Sequence, residues 1–255
     1  MMWEEDTANF ARSVAITQEH RGHGASTAIY YLGRVLVAQG LRVLLVDLTG
    51  RRSRLAGLVA HTPTKNLVLW TPPLARTQDV APALEQARRQ TAGRADVILL
   101  DIDSSLLEHV GGFSLGLDYV VVMTEATEAG QNAADRIAQH LNDELPPDGR
   151  VGVVLSRVDA PKSSELPERT EHRGLPVLGF YPADYLLAGG DAYSLKGGEA
   201  TWPHDTYLHA ILRLGQKLIK LVPLQRAHGL GGRDPHVSRL PPDSANEHSL
   251  HGTSA

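Results

Sequence analysis

Six short apolar runs, separated by stretches long enough to hold a helix, constrain this chain more than any other feature. They are SVAIT (13–17), RVLLVDL (42–48), DVILLDI (96–102), YVVVMTE (119–125), VGVVLSRV (151–158) and PVLGF (176–180). Most carry aliphatic, β-branched residues without a polar alternate, so both faces of each strand need cover, as in a buried parallel sheet. The stretches between them are amphipathic at helical spacing. Together these predict a doubly wound, mostly parallel α/β sheet with helices on both faces, a three-layer α/β/α arrangement. NLVLW (66–70) reads as an additional strand.

A chain of 255 residues, 42% of them hydrophobic, can bury a large core without a metal or disulfide staple. The periodic part runs from 13 to 224, between an N-terminal arm (1–12) and a polar tail (225–255). The last helix is expected over 204–222, with Leu208, Ile211, Leu212, Gly215, Leu218, Ile219 and Val222 as its apolar stripe, and Pro223 ends it. The tail, rich in Gly, Pro, Ser and His, is expected to be disordered. A formal net charge of −4 gives no whole-protein argument for a nucleic-acid or membrane partner. Without cysteine there is no disulfide, thiol catalysis or cysteine-based zinc site. The acidic opening residues lack the apolar core of a secretory signal, and no run of about 18 apolar residues occurs, so a cytoplasmic protein without an integral membrane segment is expected. His228, His236, His248 and His251 are irregularly spaced in the tail, and no metal site is expected there.

The most informative segment is TQEHRGHGASTAIYYLG (17–33), which joins the first strand to the first helix. Gly22 and Gly24 let the backbone curl into a nest of N–H groups, and Ser26 and Thr27 start a helix whose N-terminus favours an anion. A glycine-containing turn without a ligand fits the loop alone equally well. Where a phosphate loop carries its lysine, just before the hydroxyl pair, this chain has Ala25.

The order of segments resembles the ParA/MinD family of deviant Walker-type ATPases, whose loop reads KGGxGKTT, followed by a helix and then VLLVDxD. Here HRGHGAST (20–27) is followed by AIYYLGRVLVAQGLRVLLVDLTG (28–50) at nearly the same spacing. ADVILLDIDSSL (95–106), DYVVVMTEATEAGQNAADRI (118–137), GVVLSRVD (152–159) and LPVLGFYPAD (175–184) resemble the later elements, so the likeness spans roughly 13–222. It implies a P-loop NTPase-like fold, a phosphate-binding loop over His20, Arg21, Gly22, His23, Gly24, Ala25, Ser26 and Thr27, and magnesium-side or switch positions at Asp47, Thr49 and Asp101. The family's cross-dimer lysine falls on His20, its loop lysine on Ala25, and its water-positioning aspartate on Thr49. Phosphoryl transfer depends on positioning and charge neutralisation, so a site lacking both lysines has lost its main catalytic contribution. No catalytic residue is therefore assigned, and ATP or ADP with Mg2+ is expected to bind weakly or not at all.

By the same resemblance, Arg157, Asp159 and Pro182 would flank the base; a strand end capped by polar residues accounts for LSRVDA as well. Arg51, Arg52 and Arg54 follow the second strand as a basic turn that would meet phosphates, an acidic partner or simply solvent. On the last helix Arg213, Lys217 and Lys220 recur at helical spacing, as a patch for non-specific DNA or as solvated charges beside a core stripe. Three readings follow. The first is a degenerate ParA/MinD-like binding or scaffold module for partitioning or positioning a cargo, as a homodimer or as a heterodimer with a complete ParA-type ATPase. The second is an active ATPase with substituted phosphate contacts. The third is a non-specific DNA-binding partner of a complete ATPase.

Overall fold

The computed structural model describes residues 11–18, 24–49, 54–61, 64–72, 77–110, 116–125, 127–142, 150–158, 171–172, 175–182 and 205–221. Most of the N-terminal arm, the polar tail and residues His20, Arg21, Gly22, His23, Arg51, Arg52 and Asp159 lie outside them.

In chain order the elements are β1 (Arg12–Gln18), α1 (Ala25–Ala38), β2 (Val43–Asp47), α2 (Arg54–His61), β3 (Leu67–Trp70), α3 (Val80–Thr91), β4 (Val97–Asp101), α4 (Ser104–Val110), β5 (Tyr119–Glu125), α5 (Glu128–Asn142), β6 (Arg150–Val158), β7 (Glu171–His172), β8 (Leu175–Pro182) and α6 (Asp205–Leu221). The sheet order is β3-β2-β4-β1-β5-β6-β8-β7. Every neighbouring pair is parallel except β7, which adds antiparallel to β8. Every expected strand forms, and NLVLW supplies edge strand β3. Strand β7 was not expected, because two polar residues carry no periodic signal.

Strand alternation sorts the core into two layers. Val14, Ile16, Val43, Leu45, Val97, Leu99, Tyr119 and Val121 face α1, α2 and α6. Ala15, Leu44, Val46, Ile98, Leu100, Val120 and Val122 face α3, α4 and α5. Helix α1 is covered by the sheet below and by α6 beside it, and for that reason is apolar over most of its circumference.

The stripe of α6 differs from the expected one. Ile211, Gly215 and Leu218 are buried as expected, but Tyr207 and Leu214 complete the buried line, while Leu212 and Ile219 are only partly buried at its flank. Aromatic packing sets this rotation: the Tyr207 ring lies 5.1 Å from Tyr181 of β8 and 6.2 Å from Tyr31 of α1.

At the amino edge of the sheet the charged side chains are matched. Arg12 meets Asp118 at 2.6 Å, and the other Asp118 oxygen accepts the Ser13 N–H. Arg42 engages both oxygens of Asp96 and holds that carboxyl below the usual range, chiefly through its hydrogen bond. Arg88 of α3, partly buried, donates to the Ser13 hydroxyl and the Gly116 carbonyl. This edge is a stability device.

At the carboxyl edge the fit is tightest where α5 starts. The Thr127 hydroxyl accepts the Gly130 N–H at 3.1 Å, and a Cβ on Gly130 would stand 2.6 Å from the Glu125 carbonyl oxygen. Backbone cannot step aside as a flexible side chain does, so Gly130→Ala is expected to destabilise the fold by about 1–3 kcal/mol. A lowered denaturation midpoint at unchanged m value would show it; a midpoint equal to the parent's would mean that the turn yields freely.

Candidate functional site

From β1 the chain runs outward to β2 and β3, returns through β4, and then crosses to β5 on the far side of β1. That reversal opens a crevice at the carboxyl ends of β1 and β4, where open α/β sheets bind ligands. Helix α1 rises directly from it.

Gly24 opens α1 in the left-handed region at φ 93°, and the first helical bond runs from the Ala28 N–H to the Gly24 carbonyl at 2.8 Å. A left-handed turn of this kind favours glycine, which the sequence supplies. The turn aims the start of the helix at the crevice, but a glycine cap contributes no side chain. Ala25, in the lysine position, is 1% exposed and belongs to the core beneath α1. Its N–H donates to the Gln18 Oε1 atom of β1 at 3.2 Å. Of the hydroxyl pair, Thr27 is buried, whereas Ser26 is partly exposed and hydrogen-bonds the Asp101 carboxylate.

Asp47 and Asp101 are register partners across β2 and β4. By alternation both point to the layer that contains α1. They are 1% and 2% exposed. One Asp47 oxygen accepts the Thr49 N–H at 3.0 Å and the Thr49 hydroxyl at 2.7 Å. The Oδ2 atom of each aspartate has no hydrogen-bond partner among the described residues. Burial pushes the Asp101 carboxyl up to about 7, the Ser26 hydroxyl pulls it partly back, and the Asp47 and Asp103 charges raise it further. Asp47 is also raised by burial, against the opposing pull of Thr49.

Two more buried hydroxyls without partners among the described residues, those of Thr17 and Thr124, lie at the same edge on the opposite face. The Ser156 hydroxyl donates to the Thr124 carbonyl at 3.1 Å. Outside this edge, the Tyr30 and Tyr181 hydroxyls share that state among the described residues. Among the described residues the carboxyl edge thus differs from the amino edge, where the charged side chains have partners. Sequence reasoning missed Gln18, Thr17 and Thr124. The available signal was a polar residue closing an apolar run.

The remaining candidates are distributed along the sheet and α6. Arg157 lies on β6 and Pro182 ends β8. Arg213 and Lys220 are exposed on α6, while the Lys217 ammonium donates to the Val177 carbonyl of β8 at 3.3 Å. No set of three or more His, Asp or Glu side chains among the described residues forms a metal cage. Asp47, Asp101 and Ser26 amount to a partial set of hard oxygen donors. That set fits a magnesium ion whose other ligands are water and phosphate.

The chain has the fold of ParA and MinD ATPases. It is similar to a chain of the MinC:MinD cell division protein complex of Aquifex aeolicus, with TM-score 0.61 and 18% identity over 82% of this chain and 96% of that one. It is similar to a ParA family ATPase from Chlorobium tepidum TLS, with TM-score 0.59 and 15% identity over 80% of this chain and 98% of that one. A third similar structure is the septum site-determining protein MinD of Pyrococcus horikoshii OT3 complexed with Mg-ADP, with TM-score 0.54 and 16% identity over 83% and 97%. No protein-family model matches the chain, and no curated protein does. The likeness to ParA and MinD is therefore one of fold, at 15–18% identity.

The raised Asp101 has a stability consequence with a definite sign. Between the ordinary carboxyl range, about 4, and the native value near 7, the native state holds a proton that the unfolded chain releases. Stability contributed by this group therefore falls as pH rises through that window. Asp101→Asn should raise the melting temperature at pH above 7, with the gain shrinking to nothing below about pH 4. A gain that grows toward acid would contradict the assignment.

Proposed function

We propose that the chain is a catalytically silent ParA/MinD-like module, acting as a binding or scaffold element in partitioning or positioning a cargo such as DNA or a polar complex. It would work as a homodimer or beside a complete ParA-type ATPase. One observation carries this reading: α1 starts from a left-handed Gly24, but the residue in the lysine position is a buried alanine with its N–H given to Gln18.

The donor chemistry supports magnesium better than it supports phosphate. Asp47, Asp101 and Ser26 offer oxygen ligands to a cation that would arrive with ATP or ADP. The phosphates would find backbone N–H groups of α1 but no lysine from position 25. Removing one partner of a desolvated charge pair costs about 2–5 kcal/mol, on the order of thirtyfold to several thousandfold in affinity. Weak nucleotide binding without turnover follows. His20 and Arg21 are the residues through which an active enzyme would have to compensate.

The purified protein should show no ATP turnover above a no-enzyme control. Ala25→Lys should tighten Mg-ADP binding at least tenfold, since the turn and Ser26 are already in place. It should not restore fast hydrolysis, because Thr49 still occupies the position of the water-orienting carboxylate. Turnover in the parent that disappears in His20→Ala would favour the rescued enzyme instead.

A second reading, non-specific DNA binding, is favoured by the exposure of Arg213 and Lys220 on one helix. Lys217, tied to a β8 carbonyl, is a secondary contributor. Retention on duplex DNA should fall steeply with salt and be lost in Arg213→Glu/Lys220→Glu. Retention unchanged by that double substitution would remove this reading.

A further inference from the structure

We propose that His209 is a proton-gated member of the basic surface on α6: with its imidazole charged, it completes a straight line of cations with Arg213 and Lys220 that meets the phosphate backbone of duplex DNA. This deepens the second reading above and rests on it.

The line follows from helix geometry. His209, Arg213, Gln216 and Lys220 are four, three and four residues apart, so they fall on one face of α6, and all four are exposed. That face lies opposite the buried line of Tyr207, Ile211, Leu214 and Leu218. It spans about 16 Å, long enough to follow several phosphates. Lys217 falls to one side of it, with its ammonium drawn to the Val177 carbonyl of β8. His209, Arg213 and Lys220 have no ion-pair or hydrogen-bond partner among the described residues.

A second observation sets the sign of the partner. Helices α1, α2 and α6 cover one face of the sheet and carry Arg34, Arg54, Arg213, Lys217 and Lys220 against a single acid, Asp205. On the other face, α3, α4 and α5 carry Glu85, Glu108, Glu128 and Asp135 against Arg88, Arg89 and Arg136. A chain of net charge −4 thus presents a positive helix layer on one side, and a field of that kind steers polyanions. Duplex DNA fits the exposed line better than an acidic protein helix does. The line holds cations and an amide, with none of the large apolar anchors that a docked helix uses.

The imidazole is the side chain that gains its charge between pH 8 and 5. Helix α6 packs on α1 and β8, whose titratable side chains are Tyr30, Tyr31, Arg34 and Tyr181. Tyr31 and Tyr181 meet Tyr207 on the buried side of the helix, and Arg34 lies over the Tyr30 ring. On α6 itself, Asp205 and Arg213 stand one turn before and after His209, and Lys217 and Lys220 follow further on. One added phosphate contact steepens the dependence of log K on log salt by about 0.9, which at 0.1 M is roughly eightfold in affinity.

The test uses the full-length protein and a mixed-sequence DNA duplex, read by fluorescence anisotropy over a KCl titration at pH 8 and pH 6. From pH 8 to pH 6 the parent's affinity should rise severalfold more than that of His209→Gln, and its salt slope should steepen by up to about one. His209→Arg carries the charge at both pH values, so it should bind more tightly than the parent at pH 8 and lose most of the pH step. His109→Gln, at an exposed histidine on the opposite helix layer, should keep the parent's step. If the parent binds DNA with the same pH step as His209→Gln, or if His109→Gln reduces the step equally, the proton gate is overturned while DNA binding stands. Displacement of the duplex by polyglutamate at equal charge concentration would assign the surface to an acidic protein and overturn the proposal. If the parent binds no duplex at either pH in low salt, the second reading fails and the gate fails with it.

Discussion

A parallel sheet covered on both faces leaves few places for polar chemistry, and that constraint organises the molecule. Along β1, β2, β4 and β5 the mid-strand side chains are apolar in both directions, so polar groups are pushed to the strand ends. The two ends then diverge. At the amino edge Arg12, Arg42 and Arg88 meet carboxylates, hydroxyls and carbonyls that use their donors. At the carboxyl edge Asp47, Asp101, Thr17 and Thr124 keep buried oxygens without partners among the described residues. An unpaired buried polar group costs about 1–3 kcal/mol. That difference between the edges is what the proposal of a ligand or partner at the carboxyl edge rests on.

Much of this is legible in the sequence because the signals are local. A strand buried on both faces reads as an unbroken aliphatic run, and VLLVD and VILLD are such runs on their own. The missing lysine is equally plain, since Ala25 lies between Gly24 and Ser26. Less local features escape. The rotation of the α6 stripe depends on Tyr207 meeting Tyr181 and Tyr31, rings that come from two other elements. The hydrogen bond from the Ala25 N–H to Gln18 depends on the direction of β1, the left-handed Gly24 and the seating of α1, none of which a linear pattern encodes. The shift of Asp101 likewise follows from the β2–β4 register that sets it beside Asp47.

The alanine at position 25 and the raised Asp101 carboxyl are linked through Ser26. Position 25 directly precedes Ser26, whose hydroxyl holds Asp101. A cation there would offset the burial that raises this acid and would draw phosphates toward the start of α1. With alanine, the counterweight left to Asp101 among the described residues is one hydroxyl, opposed by Asp47 and Asp103. Near neutral pH the site therefore stands between protonated and charged. It is poor at attracting an anion in either state, and best suited to a cation when charged. A solved structure of the same fold is complexed with Mg-ADP; under the function proposed above, this chain would offer a cation the oxygens of Asp47, Asp101 and Ser26 and would offer the phosphates no lysine at position 25.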